Sequence, residues 1–225
     1  MTPDDGASEG LPADGTLLTA RGVRSRAALL AAARHLFESK GYANTKIADI
    51  TEEAGRALGS FYTYFANKEE VLEQMAEDFK SEIDGRLTEL DLTSAEPYDV
   101  IRNLVSVYWS SCRDHSAELA AIFQASMLDP RFAQRWREIR SDARKNIAAG
   151  IRAVGQAGLV QDPDPEATAS ALGSMMDYFC YVWLIEGGEA DRSSLPDDVA
   201  IDTMARVFYR TVFAAPEPAP GPGKQ

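Results

Sequence analysis

The segment that most constrains the fold runs from Thr45 to Lys68. It reads Thr45-Lys46-Ile47-Ala48-Asp49-Ile50, then Ala54-Gly55, then Gly59-Ser60-Phe61-Tyr62-Thr63-Tyr64-Phe65, then Asn67-Lys68. Thr45 is a good N-cap for a short helix that stops at Gly55. A second short helix is expected over Leu58–Phe65, with Phe61 and Phe65 facing a core shared with Ile47 and Ile50. Asn67 can cap a further helix whose first turn carries Glu69 and Glu70, well placed against the helix dipole. Two short helices joined by a tight turn, the second with a small residue, a hydroxyl and aromatics at its exposed end, have the format of a helix-turn-helix. That motif lays its second helix into the DNA major groove.

Net charge argues against such a partner until its distribution is followed. The 225-residue chain carries −12. Residues 21–68 hold eight Lys/Arg against four Asp/Glu, whereas residues 1–20 hold Asp4, Asp5, Glu9 and Asp14 and no cation. One basic segment in an acidic chain is the electrostatic footprint of a local nucleic-acid site. Arg21, Arg24 and Arg26 read as a basic arm ahead of the first helix, or as a solvated run of charge.

The rest of the chain reads as helical, with no strand alternation, hairpin signal or internal repeat. The first helix is expected over Arg24–Lys40, with Leu29, Ala33, Leu36 and Phe37 at helical spacing and Gly41 as a left-handed cap. After the short pair, a helix runs to about Leu90, and Pro97 opens the next. A shorter helix carries Leu119, Ile122 and Phe123. Asp129-Pro130 and Asp164-Pro165 each pair an N-cap with proline at the first helical position. From Asp129-Pro130 a single long helix, striped by Phe132, Trp136, Ile139, Ala143, Ile147, Ile151 and Val154, is expected to end at Gly158. Gly187-Gly188 stops the helix that starts at Pro165, and Ser194-Leu195-Pro196-Asp197 resembles a capping box for the last one. About nine helices result. The expected division is a disordered acidic N-terminus (1–20), a helix-turn-helix domain (21–67), a larger helical domain (68–213) and a disordered Pro-rich tail (214–225).

The chain resembles the tetracycline-repressor (TetR) family of transcriptional regulators. The residues that carry the resemblance are Leu29, Ala33, Phe37, Gly41-Tyr42, Thr45, Asp49-Ile50, Ala54-Gly55 and Gly59 through Lys68. The resemblance implies an all-α fold, with a three-helix DNA-binding domain followed by a larger domain. That larger domain would bind a small molecule and pair with a second copy through its last two long helices. On this reading the DNA contacts fall to Thr45, Lys46, Arg56, Leu58, Gly59, Ser60, Tyr62, Thr63, Tyr64 and Lys68. Tyr62 is otherwise a core tyrosine. The turn departs from the family pattern: Arg56-Ala57-Leu58 stands where an apolar residue and a polar pair are usual. Arg56 can then point outward to a phosphate or base. Leu58 offers no hydrogen bond, so sequence readout would be sparse and partly a matter of DNA shape.

Aromatic and methionine side chains crowd residues 108–183. Core packing is the default for each, but together they point to a pocket for an apolar or aromatic effector. The residues expected to line it are Tyr108, Phe123, Met127, Trp136, Met176, Asp177, Phe179 and Trp183. Asp177 is either a polar anchor in the pocket or the partner of an arginine such as Arg140. The last helix offers Ile201, Met204, Ala205, Phe208 and Val212 as the stripe for a homodimer.

Catalysis is not expected. His35 and His115 are the only histidines, and neither has a Cys or Asp at metal-ligand spacing. No phosphate-cradling glycine loop occurs, so neither a metal nor a cofactor is expected. Cys112 and Cys180 lie in apolar helical patterns and read as buried free thiols. No signal peptide or membrane span is visible. Together with these readings, the resemblance implies a cytoplasmic, ligand-responsive, homodimeric regulator that binds a palindromic operator on double-stranded DNA, with repression as the family expectation. The competing reading is a ligand binder of the same fold that has lost DNA binding.

Overall fold

The computed structural model describes residues 19–90, 96–157 and 164–213. The acidic segment through residue 18, the Pro-rich tail 214–225 and the expected stop at Gly158 lie outside the described residues. Ten helices follow in order: α1 Ala20–Lys40, α2 Ile47–Glu53, α3 Leu58–Phe61, α4 Lys68–Thr88, α5 Pro97–Asp114, α6 Ser116–Leu128, α7 Pro130–Ile139, α8 Ser141–Gln156, α9 Pro165–Leu184 and α10 Asp197–Phe213. Among the described residues there is no strand, only an isolated bridge between Glu189 and Arg192. The all-α architecture expected from the sequence is therefore observed.

Several boundaries differ from the sequence pattern, each for a local reason. α1 starts at Ala20 because Thr19, in the segment expected to be disordered, caps it: its Oγ1 accepts from the Gly22 N–H at 3.2 Å. Gly41 ends α1 at φ 80° and ψ 157°, not in the left-handed helical region but in a conformation open to glycine alone. The long helix expected from Pro130 is broken at Arg140, which raises the count to ten. The chain passes from one compact unit to the other just before this break, between Trp136 and Arg137. The capping box expected at Ser194–Asp197 is not formed. The Asp197 carboxylate instead accepts from Trp109 Nε1 at 2.8 Å and pairs with Arg113. The caps expected from Asn67, Asp129 and Asp164 are all made, with bonds to the N–H groups of Glu70, Arg131 and Ala167.

One compact unit comprises the described residues through Asp78 together with Ala117–Trp136. Its core gathers Leu29, Ala33 and Phe37 from α1, Ile50 from α2, Phe61 from α3, Val71, Leu72 and Met75 from α4, Leu119 and Ile122 from α6, and Phe132 from α7. The Glu118 carboxylate is buried in this unit and is compensated by Arg34.

The second unit comprises Phe79–Ser116 and the described residues from Arg137 onward. Here α10 packs along α5, and α8 along α9. Ala148, Ile151, Ala169, Leu172 and Val212 form one buried cluster, with Ile147, Val154, Met175, Phe208 and Phe213 packed against it. Cys112 and Cys180 are buried free thiols. No helix among the described residues is long and apolar enough to cross a membrane.

The Trp109 ring is 1 % exposed, so its indole N–H depends on Asp197 for a partner. Asp197→Ala should destabilise the protein by about 1–3 kcal/mol, the cost of leaving a buried donor unsatisfied. Urea unfolding followed by tryptophan fluorescence measures it.

Candidate nucleic-acid interface

The exposed face of the first unit is built by the α2–α3 turn. α2 ends in a Schellman motif: Arg56 N donates to Thr51 O at 2.8 Å and Gly55 N to Glu52 O at 3.0 Å. Gly55 occupies the required left-handed position at φ 61°. An apolar residue commonly follows at the place of Arg56 and packs back onto the helix. Arginine does not pack there, and its side chain stands exposed, with Nη1 donating to Gly55 O at 3.1 Å.

α3 is a single turn, Leu58–Phe61, shorter than the Leu58–Phe65 expected. The chain continues as hydrogen-bonded turns, in which Tyr64 N and Phe65 N both donate to Phe61 O. Phe61 and Phe65 are buried, with ring centroids 5.7 Å apart, and anchor the segment from beneath. Above them Arg56, Leu58, Gly59, Tyr62 and Thr63 are exposed, and Ser60 and Tyr64 are half-buried. Tyr62 is 57 % exposed and therefore not a core tyrosine. Lys46 is exposed at the start of α2.

Two of the residues expected to touch DNA do something else. Thr45 is 2 % exposed, and its hydroxyl donates to Gly41 O at 2.8 Å. It ties down the α1–α2 turn and presents no hydroxyl outward; Lys46, not Thr45, is the residue that precedes α2 as its N-cap. Lys68 also turns inward. Its ammonium donates to Tyr42 O at 2.7 Å and to Thr45 O at 3.0 Å, and lies 4.0 Å from the Tyr42 ring centroid. Burial holds its pKa below the usual lysine range, against the opposing pull of Glu69. Tyr42 completes the arrangement by donating to Glu69 Oε1 at 3.0 Å, and burial followed by Glu69 pushes its phenol well up. Nothing in the sequence flagged Tyr42 as this platform.

The expected basic arm is also redistributed. Arg21 and Arg24 are exposed on the first turns of α1, whereas Arg26 is held inward by Gln74 and lies over the Phe65 ring.

The residues expected to line an effector pocket divide between the two units. Phe123, Met127 and Trp136 belong to the first; Tyr108, Met176, Asp177, Phe179 and Trp183 belong to the second. Met127 is 77 % exposed at the end of α6 and lines no buried wall. In the second unit Asp177 accepts from both Tyr108 and Arg140, which settles its pairing with that arginine. Phe179 packs between Trp109 and Trp183.

The stripe expected to form a dimer is buried within the chain itself. Ile201, Met204, Ala205 and Val212 are each no more than 9 % exposed, and Phe208 packs on the α8–α9 cluster. Helical periodicity identifies the apolar face, but the chain's own helices cover it. The large apolar side chains left exposed on these last helices are Tyr178, Val199 and Val207.

No group of three or more His, Cys, Asp or Glu among the described residues could hold a metal ion. His35 pairs with Glu53, and His115 with Glu82.

A helix-turn-helix backed by a larger helical unit defines a class of DNA-binding regulators, and comparison with known proteins agrees. The model of the bacterial regulatory proteins of the tetR family matches residues 29–75. The HTH-type transcriptional regulator EthR of Mycolicibacterium smegmatis is 30 % identical over 205 residues, which cover 87 % of this chain and 93 % of that protein. The HTH-type transcriptional repressor KstR2 of Mycobacterium tuberculosis is 28 % identical over 94 residues, covering 42 % of this chain and 47 % of that one. A crystal structure of a tetR-family regulatory protein from Rhodococcus RHA1 superposes with a TM-score of 0.67 at 22 % identity, covering 84 % of this chain and 96 % of its own. The chain belongs to the TetR family of transcriptional regulators. It is a DNA-binding regulator and not an enzyme.

If Lys68 is a brace, Lys68→Met should destabilise the free protein by about 1–3 kcal/mol, because two carbonyls lose a charged donor. Thermal unfolding without DNA checks this; a pure phosphate ligand would leave that transition unmoved.

Proposed function

We propose that the protein binds a palindromic operator as a homodimer, represses transcription there, and releases DNA when a small, largely apolar effector occupies the second unit. The observation that carries this is the exposed ridge of Arg56, Leu58, Gly59, Tyr62 and Thr63 over the buried Phe61–Phe65 pair. α3 enters the major groove. Gly59 allows close approach, Ser60 and Thr63 reach base edges or phosphates, and the Tyr62 and Tyr64 hydroxyls with Lys46 and Arg56 hold the backbone. Residues 21–67 supply these contacts and residues 68–213 the effector and dimer functions, in the cytoplasm. Thr45 and Lys68 support the reading head from behind.

Two-fold symmetry of the dimer matches two half-sites on one face of the duplex. Since the periodic stripe of α10 is consumed internally, the dimer forms through the outer faces of α9 and α10, around Tyr178 and Val207. The effector enters among the aromatic and methionine side chains near Tyr108, Asp177 and Arg140. It acts by binding one arrangement of the protein more tightly than the other. α4 supplies residues to both units and carries the change.

Selection of random duplexes by the purified protein, with sequencing of the bound pool, is the direct test. A palindromic consensus is the expected result. A flat salt response and no enrichment, with or without candidate effectors, would leave a ligand binder that has lost DNA. For the dimer, Val207→Glu combined with Tyr178→Ser should give monomers by light scattering. A persistent dimer would place the interface elsewhere.

A further inference from the structure

Beyond the recognition helix, the first unit carries a separate basic groove. It has a volume of about 490 Å³ and is bounded by the start of α1 on one side and the α2–α3 turn on the other. Arg21 and Arg24 of α1 and Arg56 of the turn line it together with Ser60 of α3 and Tyr64 just after it. These arginines are more than thirty residues apart in sequence, so only folding brings them together.

None of the three forms an ion pair among the described residues. Several other arginines are held by carboxylates of the chain: Arg34 with Glu118, Arg86 with Glu82 and Asp114, Arg102 with Asp202, Arg135 with Glu77, and Arg152 with Glu166. Arg21 and Arg24 lie one helical turn apart and share a face of α1. In a chain of net charge −12, three uncompensated guanidiniums around one groove are a local inversion of sign. The Schellman turn draws only on the backbone of Arg56, whose guanidinium stays exposed with a single bond from Nη1 to Gly55 O.

We propose that this groove is a clamp for the DNA phosphodiester strand bordering the major groove that receives α3. The clamp adds affinity without reading sequence, and so offsets the few base-reading donors of the Arg56-Ala57-Leu58 turn. It rests on the DNA-binding reading above, since Ser60 and Tyr64 belong to both surfaces. A strand laid along the groove passes from the recognition helix to the first turns of α1. Arg56 contacts the phosphate nearer the turn, and Arg24 and Arg21 those farther along.

The test measures binding of a fluorescent duplex over a range of salt concentrations. The proteins are the parent and the triple variant Arg21→Ala, Arg24→Ala, Arg56→Ala. Each phosphate contact contributes roughly one unit to the slope of log affinity against log salt, so the triple variant should be about two to three units shallower. Arg→Lys at the same positions should restore most of the slope. The preferred sequence should not change, and the melting temperature should stay that of the parent because all three side chains are exposed. Neutral methylphosphonates at the phosphates flanking each half-site should weaken the parent markedly more than the triple variant. An unchanged slope in the triple variant, or equal sensitivity of both proteins to the neutral phosphates, would overturn the clamp while leaving operator binding intact. Failure of the parent to bind any duplex would instead remove the DNA-binding reading itself.

Discussion

A four-residue helix cannot stand by its own hydrogen bonds, and the reading surface of this protein depends on how α3 is held. Phe61 and Phe65 hold it from beneath. The Lys68 ammonium, bonded to the carbonyls of Tyr42 and Thr45, ties the start of α4 to the turn between α1 and α2. The cation is shielded by the Tyr42 ring, which is itself anchored by Glu69. A single lysine thus fixes where three helices meet.

Charge pairing also bears on the basic patch of an acidic protein. Arginines inside each unit are spent on carboxylates: Glu118 in the first unit, and Asp177, Asp197 and Asp202 in the second. Arg21 and Arg24 at the start of α1 and Arg56 at the α2–α3 turn are exposed and form no ion pair among the described residues. Charge that is uncompensated in the folded state is charge available to a polyanion, and a screened surface ion pair contributes little in comparison.

In the second unit, polar pairing and apolar packing are interleaved. Tyr108, Asp177 and Arg140 form a chain of hydrogen bonds, and burial pushes the Tyr108 phenol well above its ordinary pKa. Such a network fixes the relative rotation of α5, α8 and α9, since each member needs its partner once water is excluded.

Read alone, the sequence determined the helical class, most helix starts and the placement of the helix-turn-helix. These are set by residues acting within a few positions of one another: the Asp-Pro starts, the Asn67 cap, Gly55 at the stop of α2, and the apolar period of each helix. It also fixed the sign of the charge on residues 21–68. Only the tertiary structure decided which way each of these residues faces. Lys68 and Thr45 are of the chemical types that bind phosphate, yet folding assigned both to backbone carbonyls. Ile201, Met204, Ala205, Phe208 and Val212 form an apolar stripe that fits a second copy, but α5, α8 and α9 of the same chain cover it. The eight residues expected around one pocket fall into two units. Periodicity and residue type state what a side chain can do; which partner takes it depends on distances set by the whole fold, and no local pattern encodes them.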